Sequence, residues 1–516
     1  MWWKKTSFLI FLTVFLACAW FFSTGGWNQI SRIDAIMSFV EFPVEKRANP
    51  DFLTFRINHF VPSPEKGYNT GDWSFYKGNY YSNKAPGPLF LGILTYAPLH
   101  CLEYLIFGFL DDILTDVINI YIVNLVQSAL PAALAAWILF HILQMLGTGK
   151  YASAFWSLAY GLGTPVFCHS SMLWGYGLAA SCFMFAIYFY LKNSNKNMVF
   201  CGLFCGYAVL SDYLCGILVP AFAVMIFWRS CLENEGGKKE RFIKSIKSLS
   251  YFALGGIPMF LLYAMYHKIC FNTFLAPATV FNNPVFHDKE ILGGTFGTFR
   301  PFIILKLLFS QHRGLLFYSP VLLGCFYGFL NMIRDKREKK ILAWGLAFII
   351  LSSLSIVATF NGWHDGHSFS ARYLLPVIPA FVILCGAFPL KTFVWKFIAA
   401  GAFLLSFFYM LIITYLNPLI NEIVQNPFWG WAMAQLKNTK ATTPPPGLIR
   451  MYGMIENMKE EAAAYSSFSL GELIGLSGYG SMILLTILLA VLIGCIYREE
   501  IKKIPCLAEK VKSRRI

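Results

Sequence analysis

An all-α polytopic membrane protein is what this sequence predicts, with about twelve crossing helices, membrane-surface helices and long extracytoplasmic loops. Three observations lead there. Of its 516 residues 57% are hydrophobic and only 13% charged, whereas a soluble domain carries about 25% charged residues. Apolar runs near the ~20 residues that cross a ~30 Å hydrocarbon core recur at 7–23, 117–146, 152–169, 172–191, 198–211, 214–228, 249–268, 315–332, 341–360, 373–388, 397–416 and 475–497. Charge gives the third. With both termini in the cytoplasm, the inside segments 1–6, 147–151, 192–197, 229–248, 333–340, 389–396 and 498–516 hold 25 of the 42 Lys and Arg. The outside segments are several times longer, so the excess obeys the positive-inside rule.

In chain order, the first run is an anchor, because no A-x-A-like cleavage site follows Trp20-Phe21-Phe22-Ser23. The loop 24–116 holds Pro43, Pro50, Pro62 and Pro64, which exclude long helices there. Its apolar stretch 86–110 is interrupted by Pro98, His100 and Glu103. We expect two helices lying on the membrane, each half too short to cross. The runs 198–211 and 214–228 are short and read as two spans or one broken hairpin. A second loop covers 269–314 and a third 417–474. The third, with Pro444 to Pro446 and a helical stretch Leu448–Ala464, is too short to bury a large core. The expected units are a transmembrane module 1–416 that includes loop 24–116, a small loop region 417–474, and a last helix with a basic tail, 475–516.

The net charge of +15 reflects this topology and contact with anionic lipid headgroups. No basic stripe interleaved with aromatics points to nucleic acid. The 13 cysteines lie mostly within spans, as small apolar residues. Pairing among Cys101, Cys168 and Cys270 stays open at this level.

Polar residues of chemical interest gather on the loops. Asp34 follows the first span in Ser31-Arg32-Ile33-Asp34, and an ionisable group at that depth is costly; a helix cap or a partner for Arg32 is the plainer alternative. Lys84, in Tyr80-Tyr81-Ser82-Asn83-Lys84-Ala85-Pro86-Gly87, sits beside a rigid turn where an ammonium can hold a lipid phosphate as a point charge or simply snorkel. Asp72 in Gly71-Asp72-Trp73 is a second acid or a turn former, and Asp212 before Tyr213 is a third acid or a satisfied turn. Arg372 begins a late span, where a phosphate held bidentately is a natural partner. His364, Asp365 and His367 precede it. Their ligand types suit a metal, but the spacing matches no strong signature.

Together these segments resemble the GT-C class of membrane glycosyltransferases, in particular bacterial relatives of the protein O-mannosyltransferase and aminoarabinose transferase group. Shared features are a first-loop acid (Asp34 here), a Tyr-Tyr-Ser-x-Lys-x-Pro-Gly segment (Tyr80–Gly87) and a late Arg-Tyr-Leu-x-Pro (Arg372–Pro376). An Arg-Gly-Leu-Phe-x-x-Ser-Pro segment falls on Arg313–Pro320, with Leu316 in place of Phe. Relatives often carry a Gly-rich run before the late arginine; this chain has His364-Asp365-Gly366-His367-Ser368-Phe369-Ser370-Ala371.

The resemblance implies an inverting transferase in a bacterial inner membrane with a periplasmic active site. Its donor would be a polyprenyl-phosphate-linked sugar and its acceptor a lipid, glycan or protein hydroxyl, among membrane lipids as partners. Asp34 would be the base, and Lys84 and Arg372 the phosphate binders. Tyr81, Asp72, Asp212, Arg313, His364 and His367 would shape the substrate site. No cofactor is implied, and a divalent metal is the less favoured reading. A transporter or flippase for lipid-linked sugars would instead concentrate ionisable residues in mid-span and show paired halves; a non-catalytic envelope assembly subunit is the other alternative.

Overall fold

The computed structural model describes residues 2–23, 26–41, 53–58, 70–108, 113–233, 237–286, 295–438, 467–476 and 478–513. The twelve apolar runs are largely helical where described, although 7–23 ends in the strand Phe21–Ser23, 152–169 is interrupted at 163–165 and 315–332 at Ser319. Among the described residues, seven helices are long and apolar enough to cross a membrane: Gly87–Phe107, Ile118–Met145, Tyr213–Leu232, Lys238–Phe271, Arg337–Val357, Phe393–Leu416 and Tyr479–Arg498. Shorter apolar helices, among them Lys5–Trp20 and Arg372–Cys385, complete the bundle. The runs 198–211 and 214–228 are two helices, Asn195–Ser211 and Leu218–Glu233, joined by a 3-10 turn at Tyr213–Ile217. Pro131 falls just past a π-helical turn at Leu125–Ala129, the kind of widened turn that relieves a helix around a missing N–H.

The expectation of two short surface helices over 86–110 needs correction. Gly87–Phe107 is one continuous helix, opened by Pro86 and Pro88 and closed by Gly108 at φ 68°. Pro98 sits inside without breaking it. A helix of 21 residues could cross a bilayer, but its contacts keep both ends at the same end of the bundle. Gly87 accepts a hydrogen bond from Tyr207 near the end of Asn195–Ser211. At the other end Glu103 accepts from Asn119, two residues from Tyr121, which donates to Ala19 O at the end of the first helix. The helix therefore lies across the loop ends, with Leu94, Leu105, Ile106 and Phe107 exposed.

A tight seam in the bundle joins Asn195–Ser211 to Lys238–Phe271. A Cβ at Gly202 would lie 1.8 Å from Phe252 O, and one at Gly255 would lie 1.8 Å from Val199 O. Two backbones approach this closely only where small residues face each other, the common solution for helices in lipid.

On the loop side, Trp27–Val40 packs under a hairpin formed by Trp73–Tyr76 and Asn79–Ser82, paired antiparallel with Trp73 opposite Ser82. Its two-residue turn, Lys77 at φ 48° and Gly78 at φ 81°, has the left-handed geometry that suits a twisted hairpin. Ser467–Ser469 pairs with Phe21–Ser23 and ties the third loop to the first helix. Pro43, Pro50, Pro62 and Pro64, the Pro444–Pro446 run and the Leu448–Ala464 stretch lie outside the described residues. Cys101, Cys168 and Cys270 are free thiols.

Candidate active site

The hairpin register creates the first half of the site. Because Trp73 faces Ser82, the residues flanking that pair, Asp72 on one side and Asn83 and Lys84 on the other, are forced together. Lys84 Nζ lies 2.9 Å from Asp72 Oδ2, and Asn83 Nδ2 donates to Asp72 Oδ1 at 3.4 Å. Ser31 fastens this corner to helix Trp27–Val40. Its Oγ donates to Asp72 O at 2.5 Å and meets Ser82 Oγ at 2.8 Å. Asn283 of the second loop holds the hairpin from the far side, through Trp73 O at 2.9 Å and Gly71 O at 3.0 Å.

One residue past Ser31 comes Arg32, 4% exposed. Its Nη1 donates to Asn28 O at 3.0 Å, while Nε has no hydrogen-bond partner. A Cβ on Gly175 would come within 3.3 Å of Arg32 Nη2 and 2.4 Å of Ser211 O. The bare glycine therefore lets the guanidinium, the end of Asn195–Ser211 and the Trp174–Tyr176 segment meet. On that segment lies Arg372, its guanidinium carbon 4.9 Å from the Trp174 ring centroid, 6.0 Å from Tyr176 and 5.4 Å from Tyr373. Such cation–π stacking holds the charge through ring faces; the guanidinium also hydrogen-bonds Tyr373, while Arg372 Nε is buried without a hydrogen-bond partner.

Asp212 completes the cluster. Its Oδ1 accepts from Leu214 N at 3.1 Å, capping the turn, while Oδ2 has no hydrogen-bond partner. Burial raises its carboxyl to about 6, with Arg32 and Arg372 opposing the shift. Burial likewise pulls the Lys84 ammonium down to about 8 although Asp72 opposes it. Three cations and two carboxylates from five segments thus share one buried space, an arrangement that structure-only packing would leave costly.

Arg313 is fully buried behind the late loop. It donates to the carbonyls of His364 at 2.6 Å, Gly366 at 2.7 Å and Ser368. These contacts fix a loop whose Asp365, Gly366 and Ser370 all have positive φ, conformations that persist only when neighbours hold them. Asp365 is buried at the inner side of that loop, its carboxyl raised to about 7 by burial against the pull of Arg372 and Arg313. His364 is half-buried, and burial pulls its imidazole below the usual range; His367 is exposed. His364 lines a cleft of about 400 Å³ with Lys306, His312, Trp363, Glu422 and Gln425. No group of three His, Cys, Asp or Glu side chains able to hold a metal occurs among the described residues.

The structure thus brings Lys84, Arg372, Asp72 and Asp212 together and sets Arg313 and His364 beside them. Tyr81 is 7% exposed and packs edge-on against Phe271, 5.2 Å away, in the core beneath the hairpin. Asp34 is also buried, but residues two apart on a helix do not share a side, so it points away from the direction Arg32 takes. Sequence reasoning missed Arg32 as a site residue. The signal was present: an arginine set among Ile30, Ile33 and Ile36 on a short apolar helix.

No protein-family model matches the chain, and no curated protein matches it in sequence. Among solved structures it is similar to ArnT from Cupriavidus metallidurans, in the apo state and bound to undecaprenyl phosphate. Both show 14% identity and a TM-score of 0.45, over 95% of this chain and 76% of that one. It is also similar to the oligosaccharyltransferase of Archaeoglobus fulgidus tethered with an acceptor peptide, at 12% identity and TM-score 0.45, over 94% of this chain and 63% of that one. AglB from the same organism, in complex with an inhibitory peptide and a dolichol-phosphate, gives 12% and 0.46, over 89% and 60%. These likenesses are distant.

Proposed function

We propose that the protein is an inverting glycosyltransferase that takes its sugar from a polyprenyl-phosphate-linked donor at the loop face of the membrane. The observation that carries this is the convergence of three cations, buried Arg32 and half-buried Lys84 and Arg372, with the Nε of both arginines unpartnered. Buried cations in excess call for an anion, and a phosphate takes charge-assisted bonds from all three. The exposed apolar side chains of Gly87–Phe107, which begins three residues after Lys84, favour an anion that arrives on a lipid.

In this reading Asp72, not Asp34, is the general base. It adjoins the phosphate-binding lysine, whereas Asp34 lies on another side of its helix. The acceptor hydroxyl oxygen attacks the anomeric carbon from the face opposite the phosphate. Its proton passes to the Asp72 carboxylate as the carbon–oxygen bond to phosphate breaks, and the bonding pair leaves on the phosphate, held by the three cations. A polyprenyl phosphate leaves without help from an acid, so one base suffices. Asp212 and Asp365 offset only part of the positive charge, Arg313 holds the late loop in place, and the cleft beside His364 gives an acceptor a route in.

The test is to supply purified, reconstituted protein with undecaprenyl-phosphoryl sugars and an extract of envelope lipids and glycans. Free undecaprenyl phosphate and a glycosylated acceptor of inverted anomeric configuration are expected. Flipping of the intact donor with no bond cleavage would favour the transporter instead.

A further inference from the structure

At the opposite end of the bundle a groove of about 600 Å³ runs between helices Leu218–Glu233 and Arg337–Val357. Pro220, Val224, Trp228, Trp344 and Phe348 line it, with Arg337 and Lys340 at one end. Val224 is 63% exposed and Trp344 55%, so the groove opens sideways to the lipid phase. We propose that it binds one anionic diacyl phospholipid from the leaflet at the basic end of the bundle, with its phosphate on Arg337 and Lys340.

Length and charge select this occupant. From Arg337 to Phe348 a helix rises roughly 16 Å, at 1.5 Å per residue. That is about half of a ~30 Å hydrocarbon core, the depth of one leaflet. The acids of the adjoining turn are engaged elsewhere: Asp335 pairs with Lys339 at 2.5 Å and Glu338 faces Arg229 at 3.8 Å. Among the described residues no carboxylate lies within ion-pair distance of Arg337 or Lys340, so the apolar trough ends in uncompensated positive charge. Trp228 and Trp344 suit the wall of such a site, since an indole pairs an apolar face with an N–H donor at headgroup depth. The groove is also distinct from the donor site. The same two helices reach Asp212 and the loop before Arg372 only at their other ends.

The protein is reconstituted in nanodiscs of phosphatidylglycerol and phosphatidylcholine in equal amounts, extracted in mild detergent, and its retained lipids counted by native mass spectrometry. Two surface cations contribute about 1 kcal/mol each toward an anionic lipid, a preference of about thirtyfold. The wild type should keep one phosphatidylglycerol with roughly that selectivity. Arg337→Gln with Lys340→Gln should abolish the preference, and Val224→Trp, which fills the trough and leaves the charges, should abolish retention. Equal retention of both lipids by the wild type would overturn the proposal. So would retention unchanged in Val224→Trp, which holds even if the double variant fails to fold. Displacement of phosphatidylglycerol by equimolar undecaprenyl phosphate would reassign the groove to a polyprenyl chain.

Discussion

Asp72→Asn is expected to slow sugar transfer by roughly 10²–10⁴, the usual worth of a general base. Asparagine keeps the shape of the side chain and can still meet Asn83, but it cannot take a proton from the acceptor. It also frees Lys84 from its 2.9 Å ion pair but removes the carboxylate that opposes its loss of a proton, so affinity for undecaprenyl phosphate should hold or rise when measured at pH 6, where the ammonium stays charged. That pattern, slower turnover with undiminished phosphate binding, separates lost catalysis from a damaged site. Asp34→Asn in the same assay should leave the rate within about threefold. If Asp34→Asn instead loses activity by the larger factor while Asp72→Asn transfers normally, the base returns to Asp34. Asp72→Glu, which keeps the carboxylate, should recover part of the rate and guards against a variant that merely misfolds.

Gly202→Ala should produce one of the largest losses of stability that a single added methyl can cause in the bundle. The new Cβ would overlap Phe252 O, a backbone atom with no rotamer to escape into. Helices Asn195–Ser211 and Lys238–Phe271 would have to part along their whole seam. Overpacking of this kind costs about 1–3 kcal/mol and sometimes more, and the upper end is expected because both partners are main chain. The damage reaches the site, since Asn195–Ser211 ends beside Asp212 and Gly175. Gly216→Ala is the control: a Cβ there meets nothing within 4 Å. Thermal unfolding in detergent should put Gly202→Ala well below the wild type and Gly216→Ala beside it. Equal melting of all three would show that the seam opens without cost.

Much of the fold was legible because membrane crossing depends on local composition. A run long and apolar enough to span is visible without knowing its neighbours, and the twelve runs are largely helical where described. The surface stretch 86–110 was misjudged because Pro98 was weighted as a breaker. A proline within a helix can be tolerated where the freed carbonyl is satisfied by other means, and there the helix runs on to Phe107. The hairpin was readable and not read: Trp73 to Ser82 is rich in aromatics around a Lys77-Gly78 turn. Its register decides that Asp72 meets Lys84, and register appears only once strands are paired.

The site was harder for the same reason. Lys84 and Arg372 stood out individually by cost, as charges near apolar runs. Nothing local says that residues 32, 72, 84, 212 and 372 share one space, because five segments must first fold over one another. Tyr81 misled by sitting in the same motif as Lys84: alternation along a strand turns its ring toward Phe271 and the core. Arg313 was expected to shape the substrate site, and three of its donors go to the loop carbonyls of His364, Gly366 and Ser368.

The central claim is that Arg32, Lys84 and Arg372 hold one lipid-borne phosphate. Binding of undecaprenyl phosphate to the purified protein, wild type against Arg372→Ala, tests it most directly. Losing a charge-assisted contact costs about 1.5–3 kcal/mol, so affinity should fall by about 10- to 150-fold in the variant. In the wild type it should also weaken as pH rises through about 8, where Lys84 gives up its proton; Lys84→Arg, which stays charged, should remove that decline. Equal binding by the wild type and Arg372→Ala, unchanged from pH 6 to pH 9.5, would contradict the account.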